Sequence, residues 1–120
     1  MPVTIEKTFR FDAGHRCLGF DSSKEEALHG HSWVLRLVIE ATEALDENKT
    51  IFDTNEVSRL VKPMIEQIDH KLYRVDFNPT VEGLVEYFFR EIRRRLPLER
   101  AVLRRAELDA TPTLRACCSE

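Results

Sequence analysis

The sequence predicts an α+β fold, a largely antiparallel sheet joined to two helices, and three observations carry that expectation. Apolar residues alternate with polar ones over 3–11 and again over 29–40, the two-residue period of a half-buried strand. They recur at helical spacing over 57–68 and 81–96. Like elements also follow one another, without the strand–helix alternation of a parallel sheet. At 120 residues the expected organisation is one domain, 1–120.

Val3, Ile5, Phe9 and Phe11 alternate with Thr4, Glu6, Thr8 and Arg10, and only Lys7 breaks the parity. Residues 12–28 carry two glycines, two serines and mixed charges with neither period, which predicts a long loop. Trp33, Leu35, Leu37 and Ile39 then share one strand face, and His29 and His31 join it if the strand reaches back to them. Residues 41–48 are turn material, and 50–52 predict a short extended piece. Asp53 with Glu56 has the pattern of a capping box, opening a helix that buries Val57, Leu60, Val61, Met64, Ile65 and Ile68. Pro63 lies inside it and is expected to kink or split it. After a connector over 69–77, Thr80 caps a second helix with Val81, Leu84, Val85, Phe88 and Ile92 inward, and Pro97 ends it. Residues 100–108 predict a strand with Ala101, Leu103, Arg105 and Glu107 on one parity, and 113–117 a last one.

The formal charge of −3 argues against a strongly basic nucleic-acid binder. No apolar run has the length of a membrane span, and Met1-Pro2-Val3 opens no signal peptide. Cys17, Cys117 and Cys118 form neither a disulfide framework nor a CxxC zinc site, so a reducing cytoplasm is the expected compartment.

His29-Gly30-His31 places two imidazoles on one strand face, where they can share a metal ion with Gly30 leaving room behind them. The plain alternative is two histidines at a strand edge. His15 is the candidate third ligand, because pairing of the first two strands would bring it near. His70 follows Asp69, which suits either proton transfer or a solvated pair at a helix end. Glu25 and Glu26 precede the two histidines and are placed for general-base work if the metal is real. Glu107, among apolar residues, needs donors: two adjacent N–H groups of a heterocycle, or Arg104 or Arg105. Seven arginines over 90–105 outnumber Glu91 and Glu99, a solvated face or an anion-binding one. Cys17 near His15 is a bystander thiol or a nucleophile, and Cys117 and Cys118 receive no role.

Together these residues resemble a family. Phe11-Asp12-Ala13-Gly14-His15, Glu26-Ala27-Leu28-His29-Gly30-His31, Asp69-His70, Pro79-Thr80-Val81-Glu82 and Glu107 stand in the order found in the 6-pyruvoyl-tetrahydropterin synthases and the bacterial 6-carboxytetrahydropterin synthases. The resemblance spans nearly the whole chain. It implies a four-stranded antiparallel sheet with two helices on one face (the tunnelling fold), trimers closed into a barrel, and two trimers stacked as a hexamer with active sites between subunits. It implies Zn2+ on His15, His29 and His31, catalysis by Asp69 and His70, and substrate binding by Glu107 with Thr80 and Glu82. The implied substrate is 7,8-dihydroneopterin triphosphate, with no nucleic-acid or membrane partner. In this scheme the face of Trp33, Leu35, Leu37 and Ile39 needs a cover that the barrel supplies.

The departures are specific. Most members carry a catalytic cysteine four residues before the first histidine of HGH, where this chain has Glu25. A sub-branch has the pattern ExxHGH instead, and Glu26 fits it. That branch is associated with cleavage to 6-hydroxymethyl-7,8-dihydropterin, so the product stays open between this, 6-pyruvoyl- and 6-carboxytetrahydropterin. The sequence after Asp69-His70, Lys71-Leu72-Tyr73, lacks the usual asparagine, and Gly83 stands where an asparagine is common.

Overall fold

The computed structural model describes residues 2–18, 28–72 (Leu72 by its backbone), 75–96 and 98–120. The elements are β1 (Thr4–His15), β2 (His29–Ala41), α1 (Thr54–Glu66), β3 (Lys71–Leu72), α2 (Val81–Arg95), β4 (Ala101–Thr111) and β5 (Leu114–Ser119). The sheet order is β3-β1-β2-β4-β5. The four long strands are antiparallel, and the two-residue β3 runs parallel to β1 at Ala13 and Gly14.

One face of this sheet holds the core. Phe9, Phe11 and Ala13 of β1 and Trp33, Leu35, Leu37 and Ile39 of β2 point to it, with Leu103, Ala106 and Leu108 of β4. Val57, Val61 and Ile65 of α1 and Leu84, Val85, Phe88 and Ile92 of α2 close it. Phe88 meets the ring of Phe11 edge-on at 6.1 Å, and Phe11 stacks on Trp33 at 6.2 Å. Within the chain, then, the helices cover the apolar face of β2. The expectation that a trimer barrel must cover it is corrected. The opposite face carries Arg36, Arg105, Glu107 and Asp109, and no described element of the chain lies over it.

Four other expectations change. β1 does not stop at Phe11 but stays in register through His15, opposite His29, with Ala13 and His15 still inward. Ala13 and Gly14 are weak strand formers, which hid the extension. Residues 50–52 bend rather than extend, and Ile51 is buried there. Pro63 does not split α1, because it sits in the last turn and removes only one hydrogen bond. A register shift puts Arg104 into a bulge, since Ile39 pairs with Leu103 and Val38 with Arg105. Parity therefore flips along β4: Ala101 and Leu103 face the core, Arg105 and Glu107 the other side.

Asp53 caps α1 by accepting the Asn55 N–H at 2.9 Å. The Thr80 hydroxyl caps α2 by accepting the Gly83 N–H at 3.1 Å. A Cβ at Gly83 would lie 2.7 Å from the Asn78 carbonyl oxygen and 3.2 Å from the Phe77 ring. No side chain fits in that turn, which explains the glycine. α2 ends at Arg95, and Pro97, expected to end it, lies outside the described residues.

Candidate metal centre and the adjoining carboxylate–histidine pair

The extension of β1 builds the site. His15 pairs directly with His29, and His31 follows two residues on, so all three rings share the core-side face. Their ring centroids lie 4.5 to 5.1 Å apart. One ligand atom from each comes within 4.8 Å of the others, and the Nε2 atoms of His15 and His29 are 2.9 Å apart. Trp33 forms the floor, 5.1 Å from His15 and 5.0 Å from His31, fixed by its indole N–H donating to the Ala13 carbonyl at 3.0 Å.

His15 is buried, and its Nδ1 lies 2.7 Å from the Pro79 carbonyl oxygen. A carbonyl only accepts, so Nδ1 carries the proton and Nε2 presents a lone pair toward His29. Burial, then the neighbouring His15 and His29, push His31 below the usual imidazole range. The ring is thereby held neutral, the form that ligates a metal. At Zn–N distances of about 2.0–2.1 Å, tetrahedral ligand nitrogens stand roughly 3.3 Å apart. Three imidazoles already this close fit such an ion with small adjustments. Gly30 is not sterically required, because an added Cβ would meet the Ala13 carbonyl oxygen at an ordinary 3.5 Å.

His29 and His31 line a cavity of about 600 Å³ together with Asp12, Ser32, His70 and Lys71. The structure thus brings the Asp69–His70 pair to the edge of the histidine site. His70 Nδ1 lies 3.1 Å from Asp69 Oδ1, and that oxygen also accepts the Asp12 N–H at 2.9 Å. The Asp12 N–H, followed by His70, holds the Asp69 carboxyl below its ordinary range.

The remaining candidates divide. Thr80 spends its hydroxyl on the α2 cap, and Glu82 is exposed in the first turn. Glu107 is buried on the sheet face opposite the histidines, since it pairs with Arg36 while Leu35, on their face, pairs with Leu108. Its carboxylate meets Arg36 at 3.0 Å, Arg105 at 2.5 Å and Arg115 at 3.3 Å. Within this chain Glu107 does not converge with the histidines, and guanidinium groups supply the donors it needs. Glu25 and Glu26 lie outside the described residues. Each of the seven arginines over 90–105 has a carboxylate partner, among them Glu86, Glu91, Glu120 and Glu40. Cys17 is buried, and burial pushes the Cys118 thiol up.

Sequence reasoning missed three contributors. The Pro79 carbonyl that fixes His15 is a backbone atom, which residue types do not announce. Asp12 and Ser32 are cross-strand partners, legible only once the register is known.

Residues 4–120 match the family described as 6-pyruvoyl tetrahydropterin synthase. A 6-carboxy-5,6,7,8-tetrahydropterin synthase of Aquifex aeolicus is 31% identical over 134 aligned positions, covering 80% of this chain and 82% of that protein. A dihydroneopterin monophosphate aldolase of Pyrococcus furiosus is 28% identical, covering 72% of each. Among solved structures, the Caenorhabditis elegans 6-pyruvoyl tetrahydropterin synthase superposes with a TM-score of 0.81 at 18% identity, over 100% of this chain and 96% of that one. A Plasmodium vivax 6-pyruvoyltetrahydropterin synthase, solved with a catalytic glutamate replaced by alanine, gives 0.75 at 12% identity, over 100% and 98%.

Proposed function

Because the chain belongs to the 6-pyruvoyl tetrahydropterin synthase family, whose members are pterin enzymes, we propose that it is a zinc-dependent lyase acting on 7,8-dihydroneopterin triphosphate. The observation that carries this reading is the converging trio His15, His29 and His31, with the tautomer of His15 fixed by Pro79. Three imidazoles with room beside them are the donor set of a catalytic zinc site. Zinc held there would supply a Lewis acid for the side-chain hydroxyls of the substrate.

The chain's own residues divide the proton work. Glu26 fits the ExxHGH pattern and serves as the base that takes a proton from the substrate side chain. The Plasmodium vivax relative, with its catalytic glutamate, supports a carboxylate in that role. His70, oriented by Asp69, returns or relays the proton from the cavity edge. Trp33 and the α2 start keep the metal side rigid. Within this chain Glu107 does not face the metal side, because its carboxylate is held on the other sheet face by Arg36, Arg105 and Arg115.

Two products remain in play, each with its support. The glutamate and the aldolase relative favour side-chain cleavage to 6-hydroxymethyl-7,8-dihydropterin. The Aquifex relative favours 6-carboxytetrahydropterin. The homo-oligomer expected of the family, with sites between subunits, is part of the same proposal and is checked by sedimentation. The deciding experiment incubates the zinc-loaded protein with the triphosphate and, in parallel, the monophosphate of 7,8-dihydroneopterin. Mass spectrometry then identifies the pterin and its cleaved fragment. Zinc and pterin binding without any product would replace the enzyme reading with that of a binding protein.

A further inference from the structure

We propose that Asp12 is a positioning residue for His70, and that Ser32 in turn holds Asp12. The proposal rests on the reading of His70 as a proton carrier.

Asp12, on β1, reaches two other segments at once, residues 69–70 and β2. Its N–H donates to Asp69 Oδ1 at 2.9 Å, and its carbonyl accepts the His70 N–H at 2.5 Å. Its carboxylate Oδ1 accepts the Ser32 hydroxyl at 2.5 Å from the paired position of β2. Its other oxygen, Oδ2, stands 3.9 Å from His70 Nε2. Asp69 holds the opposite ring nitrogen, Nδ1, at 3.1 Å. The imidazole is therefore flanked by a carboxylate at each nitrogen, one within hydrogen-bond reach and one beyond it. Nε2 stays open to the cavity, with a negative charge beside it.

The backbone supports the same reading. His70 has φ 61, the left-handed region that a side-chain-bearing residue seldom adopts. Both backbone contacts from Asp12 close on this turn, and such strain at a cavity edge marks a built arrangement. The His70 ring is 76% exposed, so packing alone does not hold it. Other charges near it are Lys71, the next residue, which shares the first cavity. Arg10 shares with it a second cavity of about 300 Å³. Neither has an ion-pair partner among the described residues, and the carboxylates within 4 Å of the ring are those of Asp12 and Asp69. A proton arriving on Nε2 makes the ring a cation, and the two carboxylates stabilise it until the proton leaves from the same atom.

The test compares zinc-loaded wild type, D12N, S32A, H70Q and the double variant D12N/H70Q, following consumption of 7,8-dihydroneopterin triphosphate. D12N keeps every backbone contact and the shape of the side chain, removing only the charge. It should lower kcat about three- to tenfold, leaving KM and zinc content unchanged, with S32A lowering kcat by less. In H70Q, adding D12N should cost nothing further, the non-additivity of residues that act through one another. An unchanged kcat in D12N while H70Q is impaired overturns the role of Asp12 alone. Additive losses in the double variant, or loss of zinc from D12N, overturn it as well. Wild-type turnover by H70Q overturns the reading of His70 on which the inference stands.

Discussion

The Nδ1–H of His15 donates to the carbonyl oxygen of Pro79 at 2.7 Å, so the end of β1 and the start of α2 meet at one hydrogen bond. Pro79 directly precedes Thr80, whose hydroxyl caps α2. The helix cap and the orientation of a proposed metal ligand are therefore mechanically joined.

Thr80→Ala tests that joint. Losing a threonine cap costs about 1 kcal/mol of stability, read as a lower midpoint of thermal unfolding of the metal-free protein. Zinc affinity should fall as well, several-fold, because contacts that orient a ligand tune metal binding. Thr80→Ser, which keeps the hydroxyl, should restore both. A destabilised Thr80→Ala protein with undiminished zinc affinity would uncouple the cap from the metal.

The metal assignment is tested by His31→Ala. One of three nitrogens is lost, and the half-buried imidazole that its surroundings favour neutral goes with it. Bound zinc after dialysis should fall sharply. Full occupancy by metal analysis would contradict the three-histidine site.

How much of this was legible in the sequence follows from which physical signals residues carry. The alternation around Leu35 and Leu37 and the helical spacing of Leu84, Val85 and Phe88 report burial, and each proved buried. The histidine trio was legible because pairing and parity are simple geometry. Parity failed in β4, where a bulge at Arg104 inserts one residue and no residue type signals it. Parity alone therefore put Glu107 on one face with Leu103, whereas the bulge turns it to the other, where Arg105, one of the two partners the sequence offered, meets it. The Asp12–Ser32 contact was hidden for a related reason, since it depends on the register of two strands.

Glu107 itself yields a prediction that separates support from substrate binding. Glu107→Gln removes the charge that Arg36, Arg105 and Arg115 share. The arginines are partly exposed, so screening limits the loss to about 1–2 kcal/mol. Thermal unfolding should shift down by several degrees, with KM for the pterin unchanged. A raised KM at unchanged stability would return Glu107 to the pterin site.

Acid sensitivity has a definite sign. Arg94 holds Glu91, and Arg115 holds Asp109, below the ordinary values of 4.5 and 3.8, as the Asp12 N–H does for Asp69. The unfolded chain therefore takes up protons at higher pH than the folded one. The stability these groups contribute is complete above the ordinary carboxylate values and is lost as pH falls through the lowered ones. In the metal-free protein His31 acts with the same sign just below 6.5, because its neutral form is favoured on folding. Denaturation midpoints should fall steepest below about pH 4.5, and Asp109→Asn should flatten that limb. An unchanged limb in Asp109→Asn would remove the Arg115 pair from the account.

The base is the last prediction, and it concerns the position at which this chain departs from the cysteine-bearing pattern. Glu25 and Glu26 are adjacent, so wherever that segment is extended they point in opposite directions. Glu26 has the spacing of the ExxHGH pattern, three residues before His29. Cys17 is buried two residues after His15, and Cys117 and Cys118 lie on β5, at the sheet edge remote from β1. Glu26→Gln keeps size and hydrogen bonding but loses the proton acceptor. A positioned acid–base group contributes about 10²–10⁴-fold in rate, so turnover should fall within that range. Zinc content should not change, because the proposed ligands are His15, His29 and His31. Glu25→Gln is the matched control and should turn over nearly as wild type does. A dead Cys17→Ala beside an active Glu26→Gln would move the base to the thiol after β1.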